Sequence, residues 1–212
     1  IIVVSNHAKS TYENTVAKAE NTTTGEKFDY KLTTPIEVSW ESTPRPETSQ
    51  DIPGLNLTTD FNFVMVSQMG PRKNFGNAIK WWVEEFIDQE VGLLIKTNLA
   101  NNSTIDYQYS DMTIQKVLKQ YPDRKCKVYL LHGDLSPAQM ISLYSNDKIK
   151  AMINISHGEG FGLPMFEAAR ESLPIITVGW SGQMDFLRHD GKDYFQDVKY
   201  SLANIQKEAV WD

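Results

Sequence analysis

The 212-residue chain is 41% hydrophobic and 23% charged, with one cysteine and a formal net charge of −6. That is the composition of a folded protein with a core, so a low-complexity or disordered chain is excluded. The lone Cys126 excludes an internal disulfide and any zinc site built on paired thiolates, and the acidic balance argues against nucleic acid, whose phosphates need a basic face. At roughly 100–200 residues per domain, the length admits one domain, or one plus part of another. No apolar run approaches the ~20 residues of a membrane helix, and Ile1–Val4 lacks the basic region and longer apolar core of a signal peptide. No membrane-spanning segment is expected, and a reducing, cytoplasmic location is. The chain opens inside an apolar run without a methionine, so residue 1 is not expected to be the natural start.

Ile1 to Ser5 reads as a strand, and His7 to Glu20 as a weak helix with Tyr12, Val16 and Ala19 on one face. Asn21 to Gly25 is turn chemistry, Phe28 to Trp40 alternates like short β-structure, and Pro44, Pro46 and Pro53 punctuate a linker, which puts a domain boundary near residue 55. Strand and helix then alternate. Strands are expected at Phe61–Ser67, Gly92–Lys96, Lys127–Leu131, Ala151–Ser156 and Pro174–Val178. Helices are expected at Asn77–Asp88 with Trp81 and Trp82, at about Met112–Tyr121 after a polar loop, and from Ser136-Pro137 to Tyr144. Leu163–Glu171 and a short Gly182–Leu187 complete the set. Nearly all-apolar strands alternating with helices imply a doubly wound, Rossmann-like α/β domain with a parallel sheet covered on both faces. Such sheets bind ligands at the carboxyl ends of their strands, so the loops there are where function is sought.

The loop after the fourth expected strand, Ser156-His157-Gly158-Glu159-Gly160-Phe161-Gly162, leads through Leu163-Pro164 into a helix carrying Glu167. Alternate glycines let a ligand approach the main chain, and a helix start offers unpaired N–H groups and a favourable dipole to an anion. A carboxylate in such a cradle is unfavourable beside phosphate unless it accepts hydroxyl hydrogen bonds, as sugar and ribose hydroxyls provide. The plain alternative is a glycine-rich strand-to-helix turn with one solvated and one capping glutamate. Neither the dinucleotide fingerprint nor the P-loop fits the loop.

Glu159 and Glu167, with seven residues between them, resemble the E-x7-E signature of the family-4 retaining glycosyltransferases of GT-B fold. Pro71-Arg72-Lys73-Asn74 after the first strand of the repeat is similar to that family's R-K-G/N turn. Leu135 to Tyr144 resembles its segment before the base-binding helix, and Pro174 to Asp185 its P-V-I-x-x-x-x-G-G-x-x-E stretch. The resemblance spans roughly residues 60–187 and implies the carboxyl-terminal, donor-binding half of a two-domain enzyme, with residues 1–55 as acceptor-side remnant plus linker and 56–212 as the donor domain. It implies that Lys73, with Arg72, contacts the donor diphosphate, that Glu167 binds the ribose hydroxyls, and that Glu159 faces the sugar. Glu159 and Lys73 are the implied catalytic pair, and the backbone of Gly158, Gly160, Phe161, Gly162 and Leu163 would hold sugar and distal phosphate. A lysine neutralising the leaving diphosphate makes the implied site metal-independent, with no cofactor beyond the nucleoside diphosphate sugar and no Asp-x-Asp pair in the chain.

Two departures concern the donor. Gln68 or Met69 stands where many relatives have an arginine, leaving Arg72 to substitute, and Ser181 and Asp185 stand for the first glycine and final glutamate of the Gly-Gly motif. Gly179-Trp180-Ser181-Gly182 falls short of a hydrolase elbow because Gln183 replaces the closing glycine. Among the four histidines, only His157, two residues before Glu159, is placed to reach sugar or leaving group. The expected reaction is sugar transfer to an acceptor hydroxyl, carbohydrate or lipid-linked, with retention, and the fragment alone is expected to be inactive. A non-catalytic nucleotide-sugar binding module and a GT-B epimerase or phosphorylase are the alternatives.

Overall fold

The computed structural model describes residues 1–205; the carboxyl end of the expected second domain, 206–212, lies outside them. The chain opens with β1 (Ile2–Val3), α1 (Asn6–Asn14), β2 (Val16–Glu20), β3 (Lys27–Lys31) and β4 (Glu37–Val38). After the proline-rich linker come β5 (Asn62–Val66), a 3-10 turn (Pro71–Lys73), α2 (Phe75–Glu85), β6 (Gly92–Lys96), α3 (Thr104–Leu118), β7 (Lys127–Leu131) and α4 (Pro137–Tyr144). Then follow β8 (Ile149–Asn154), α5 (Leu163–Arg170), β9 (Ile175–Val178), α6 (Met184–Leu187), β10 (Arg188–His189), β11 (Lys192–Asp193) and β12 (Gln196–Val198).

The main sheet has six strands in the order β12-β9-β8-β5-β6-β7, every pairing parallel. Period-2 alternation divides its core between two helical layers. Phe63, Met65, Leu93 and Ile95 pack with Ile79 and Trp82 of α2 on one face. Val64, Leu94 and Met152 pack with Leu143 of α4 and Met165 and Ala168 of α5 on the other. Each fully buried side chain of this size contributes about 1.5–3 kcal/mol, which explains why the strands are apolar on both faces. From β5 the chain winds outward through β6 to β7, then returns to β8 on the other flank. The β5/β8 junction is therefore the topological switch point where a crevice opens at the strands' carboxyl ends.

Three expectations need correction. The expected helix over His7–Glu20 ends at Asn14, and Val16–Glu20 pairs antiparallel with Lys27–Lys31. The period there is two, not 3.6: Ala17 and Ala19 face Tyr30 and Phe28, while Lys18 pairs with Asp29 on the other side. Asn21 Oδ1 closes the turn by accepting from the Thr23 and Thr24 amides at 2.9 and 3.2 Å. Second, α3 starts at Thr104 rather than near Met112, because Ser103 caps it by accepting from the Asp106 amide at 3.2 Å. Third, β12 is an additional edge strand; with Val198 as its one apolar residue, three positions carry too little pattern to signal a strand. Trp82 is core and Trp81 is half-exposed.

Candidate functional site

Two loops meet over the β5/β8 switch point. The one after β5 tightens into the Pro71–Lys73 turn and enters α2 through Asn74, which adopts φ 53°, a left-handed conformation that asparagine tolerates. Asn74 Nδ2 donates to the Ile155 carbonyl at 3.3 Å, and Arg72 O accepts from the His157 amide at 2.8 Å, so this turn is stitched to the segment after β8.

The second loop places Glu159 at the centre of a charge cluster. Its carboxylate lies 2.5 Å from Lys73 Nζ and 3.1 Å from Arg72 Nη1, accepts from Ser156 Oγ at 2.9 Å, and stands 3.5 Å from Asn154 Nδ2. Arg72 Nη1 also donates to the Gly158 carbonyl at 2.5 Å. Glu159 is 7% exposed. Burial pushes its carboxyl up, but the Lys73 and Arg72 charges and the Ser156 hydroxyl outweigh that and hold it below the ordinary carboxylate range. The sign follows by linkage: a carboxyl lowered in the fold adds stability above its unfolded pKa, ~4.3, and that contribution is lost as pH falls through the folded value. Glu159→Gln should therefore flatten the acid limb of a Tm-against-pH curve below about pH 4.3, and an unchanged acid limb would count against this account.

Gly162 caps α5 at φ 94°, and a Cβ there would meet Met165 Cε at 2.8 Å, so the bend requires glycine. Pro164 occupies the first turn. Among the described residues the amides of Gly160, Phe161, Gly162 and Leu163 find no protein acceptor, leaving a run of donors at the helix start. Glu167 lies one turn in, with Tyr144 Oη donating to it at 3.4 Å. Burial raises the Glu167 carboxyl, and the Tyr144 hydroxyl and Arg170 charge offset this only in part. A cavity of ≈ 190 Å³ opens beside it, lined by Pro44, Leu135, Met140, Tyr144, Glu167 and Arg170 among others. The linker forms part of that wall: Arg45 pairs with Glu171 through two 3.1 Å bonds, and Arg170 donates to Thr43 Oγ1 at 2.7 Å.

The structure thus brings Arg72, Lys73, Gly158 and Glu159 into contact on one rim, with Gly160, Gly162 and Leu163 leading from it into α5, while Glu167 lies one turn in beside Tyr144 and the cavity. His157 is exposed on the rim, with only its amide engaged. The Phe161 side chain instead points into an aromatic cluster with Trp40, Phe166 and Phe186. Gln68 donates to the Leu99 carbonyl and Met69 is buried, so Arg72 is the residue that reaches the cluster. Asp185 accepts from the Asn6 amide at 2.8 Å and Trp40 Nε1 at 3.3 Å, tying residues 1–40 to the rim, as does Ser5 Oγ donating to the Gly160 carbonyl at 2.6 Å.

Sequence reading missed Asn154, Ser156 and Ser181 as partners of Glu159; Asn154, a buried polar residue at the carboxyl end of β8, was the available signal. It also missed a buried pair between His132 Nε2 and Asp106, 2.9 Å apart. Asp106 is desolvated, yet three amides of residues 99–101 and His132 hold its carboxyl well below the usual range.

The fold, an α/β arrangement around a six-strand parallel sheet, matches domains of GT-B glycosyltransferases. Sucrose-phosphate synthase of Thermosynechococcus elongatus superimposes with a TM-score of 0.59 over 88% of this chain and 42% of its own, at 16% identity. An Escherichia coli structure, described as trehalose-6-phosphate bound with UDP-2-fluoro glucose, gives 0.53 over 88% and 47%, at 9% identity. In sequence, the chain is similar to the serotype-specific mannosyltransferase WbdA of E. coli, 28% identical over 149 residues, 70% of this chain. The chain spans 17% of that relative's length. No protein-family model matches it.

Proposed function

We propose that this chain is the donor-binding half of a glycosyltransferase, one that moves a sugar from a nucleoside diphosphate sugar to an acceptor hydroxyl with retention at the anomeric carbon. The observation that carries the reading is the Lys73–Arg72–Glu159 cluster at the β5/β8 switch point, beside the unpaired amides that open α5. Two cations and a run of N–H donors suit a diphosphate, and they lie where parallel sheets bind ligands. Glu159 and Glu167 add acceptors for hydroxyls on either side of it. The cavity next to Glu167 suits the nucleoside, with ribose hydroxyls donating to that carboxylate. Lys73 and Arg72 would carry the charge of the leaving diphosphate, the task a divalent metal performs in other transferases. The similarity to a mannosyltransferase, and the UDP-sugar analogue bound to a protein of like fold, support the same reading.

A thermal-shift panel of nucleoside diphosphates and their sugars, with and without chelator, tests it. A cognate ligand at 100 times its Kd stabilises by about 2.7 kcal/mol, or roughly 5–11 °C for a chain of this size. A panel in which no diphosphate raises Tm would overturn the proposal, and a shift abolished by chelator would overturn its metal-independent part. Glu167→Ala should weaken the cognate diphosphate by ~1.5 kcal/mol, about tenfold. The ionised carboxylate is the stronger acceptor, so wild-type affinity should gain a rise as pH passes through the raised Glu167 pKa, and the variant should lack that component. Equal affinity of the two proteins at neutral pH would remove Glu167 from the ribose role.

A further inference from the structure

Ser181 stands out for its backbone. It sits in the loop after β9 at φ 85°, within the left-handed region that favours glycine, and it is buried. A non-glycine residue persists there only when its surroundings over-determine the conformation. Here they do. Ser181 Oγ accepts from the Glu159 amide at 2.8 Å and donates to the Glu159 carbonyl at 2.6 Å, so one hydroxyl grips both main-chain polar groups of a single residue. The neighbouring Gly182 amide donates to the same Glu159 carbonyl at 3.0 Å.

From this grip we infer that Ser181 is a positioning residue: its hydroxyl clamps the Glu159 backbone so that the carboxylate is held against Lys73 and Arg72, where it serves the sugar end of the donor. This rests on the donor-site reading above. The chemistry favours it over the alternatives for a buried serine. A nucleophile needs a free hydroxyl beside a base, whereas this oxygen is already committed as donor and acceptor to the main chain of one residue. A merely structural serine would have no reason to occupy a strained position that glycine fills without cost. The hydroxyl is what glycine lacks, and both of its bonds go to Glu159.

The test is Ser181→Gly, which removes the hydroxyl, leaves the left-handed backbone relaxed, and so separates positioning from folding. Expected results are a Tm within about 3 °C of wild type, a nucleoside diphosphate Kd unchanged or lower, and a Kd for the cognate diphosphate sugar raised about tenfold. Carbon-13 titration of the Glu159 carboxyl in the ligand-free protein gives a readout independent of any donor. Its midpoint should move from below the ordinary range back toward it in the variant. Ser181→Ala keeps the strain and loses both bonds, so it should show the same Glu159 shift with a lower Tm. A Glu159 titration identical in wild type and Ser181→Gly would overturn the inference, as would equal loss for diphosphate and diphosphate sugar. If no diphosphate binds the wild type, the donor-site reading fails on its own, and the carboxyl titration still decides whether Ser181 positions Glu159.

Discussion

Replacing Lys73 with alanine is expected to raise the Kd for the cognate nucleoside diphosphate about 100-fold, or ~2.7 kcal/mol, while leaving the bare nucleoside within about twofold. Lys73 Nζ lies 2.5 Å from Glu159, and its side chain is 15% exposed. Such a compact, largely desolvated cation interacts with a doubly charged group far more strongly than a solvated surface lysine does. A nucleoside in the proposed seat beside Glu167 has no phosphate to feel the loss. Calorimetry with the diphosphate and nucleoside in parallel reads the difference. Equal losses for both would mark Lys73 as a structural partner of Glu159. The ligand-free variant should also melt lower, because a buried carboxylate keeps only the more exposed Arg72 as its cation.

The second large effect is on the fold of the rim. A Cβ at Gly182 would lie 1.9 Å from the Gly160 carbonyl oxygen and 2.9 Å from that of Glu159, both backbone atoms with no flexible side chain to yield. Gly182→Ala should therefore force the loop after β9 off the loop after β8, destabilising the protein by about 3 kcal/mol and lowering Tm by roughly 6–12 °C. Diphosphate-sugar binding should go with it, since the same displacement breaks the Gly182 and Ser181 contacts to Glu159. Gly76→Ala is the matching control. Gly76 lies in α2, and a Cβ there meets nothing within 4 Å, so alanine should be neutral or stabilising by about 0.5–1 kcal/mol. Similar melting curves for the two variants would mean that the loops are not interlocked as described.

Much of the α/β fold was legible because its signals are local. Gly92–Lys96 and Lys127–Leu131 are short apolar runs bounded by polar residues, and each is a strand with the expected ends. Ser136-Pro137 announced α4, and Ser136 and Gln139 form a capping box there. The glycine-spaced loop and the two glutamates were visible for the same reason: a tight bend at a helix start demands particular residue types at particular spacings. Failures came where a local pattern was ambiguous or silent. Val16–Glu20 has too few apolar residues to distinguish period 3.6 from period 2, and only its partner strand made it β. The edge strand β12 has a single apolar residue, Val198, too little to show a period.

By itself, then, the sequence determined the alternation of strands and helices, the loops that bend at strand ends, and the chemistry those loops carry. Tertiary structure decided which of those loops meet. Lys73 and Glu159 are 86 residues apart in the chain, and Ser181 is 22 beyond Glu159. They come together because a parallel sheet aligns the carboxyl ends of β5, β8 and β9 on one edge. A buried carboxylate then takes whatever cations and hydroxyls that edge supplies, since leaving it unpaired there would cost several kcal/mol. That choice of partners depends on distance across the sheet, which spacing along the chain does not encode.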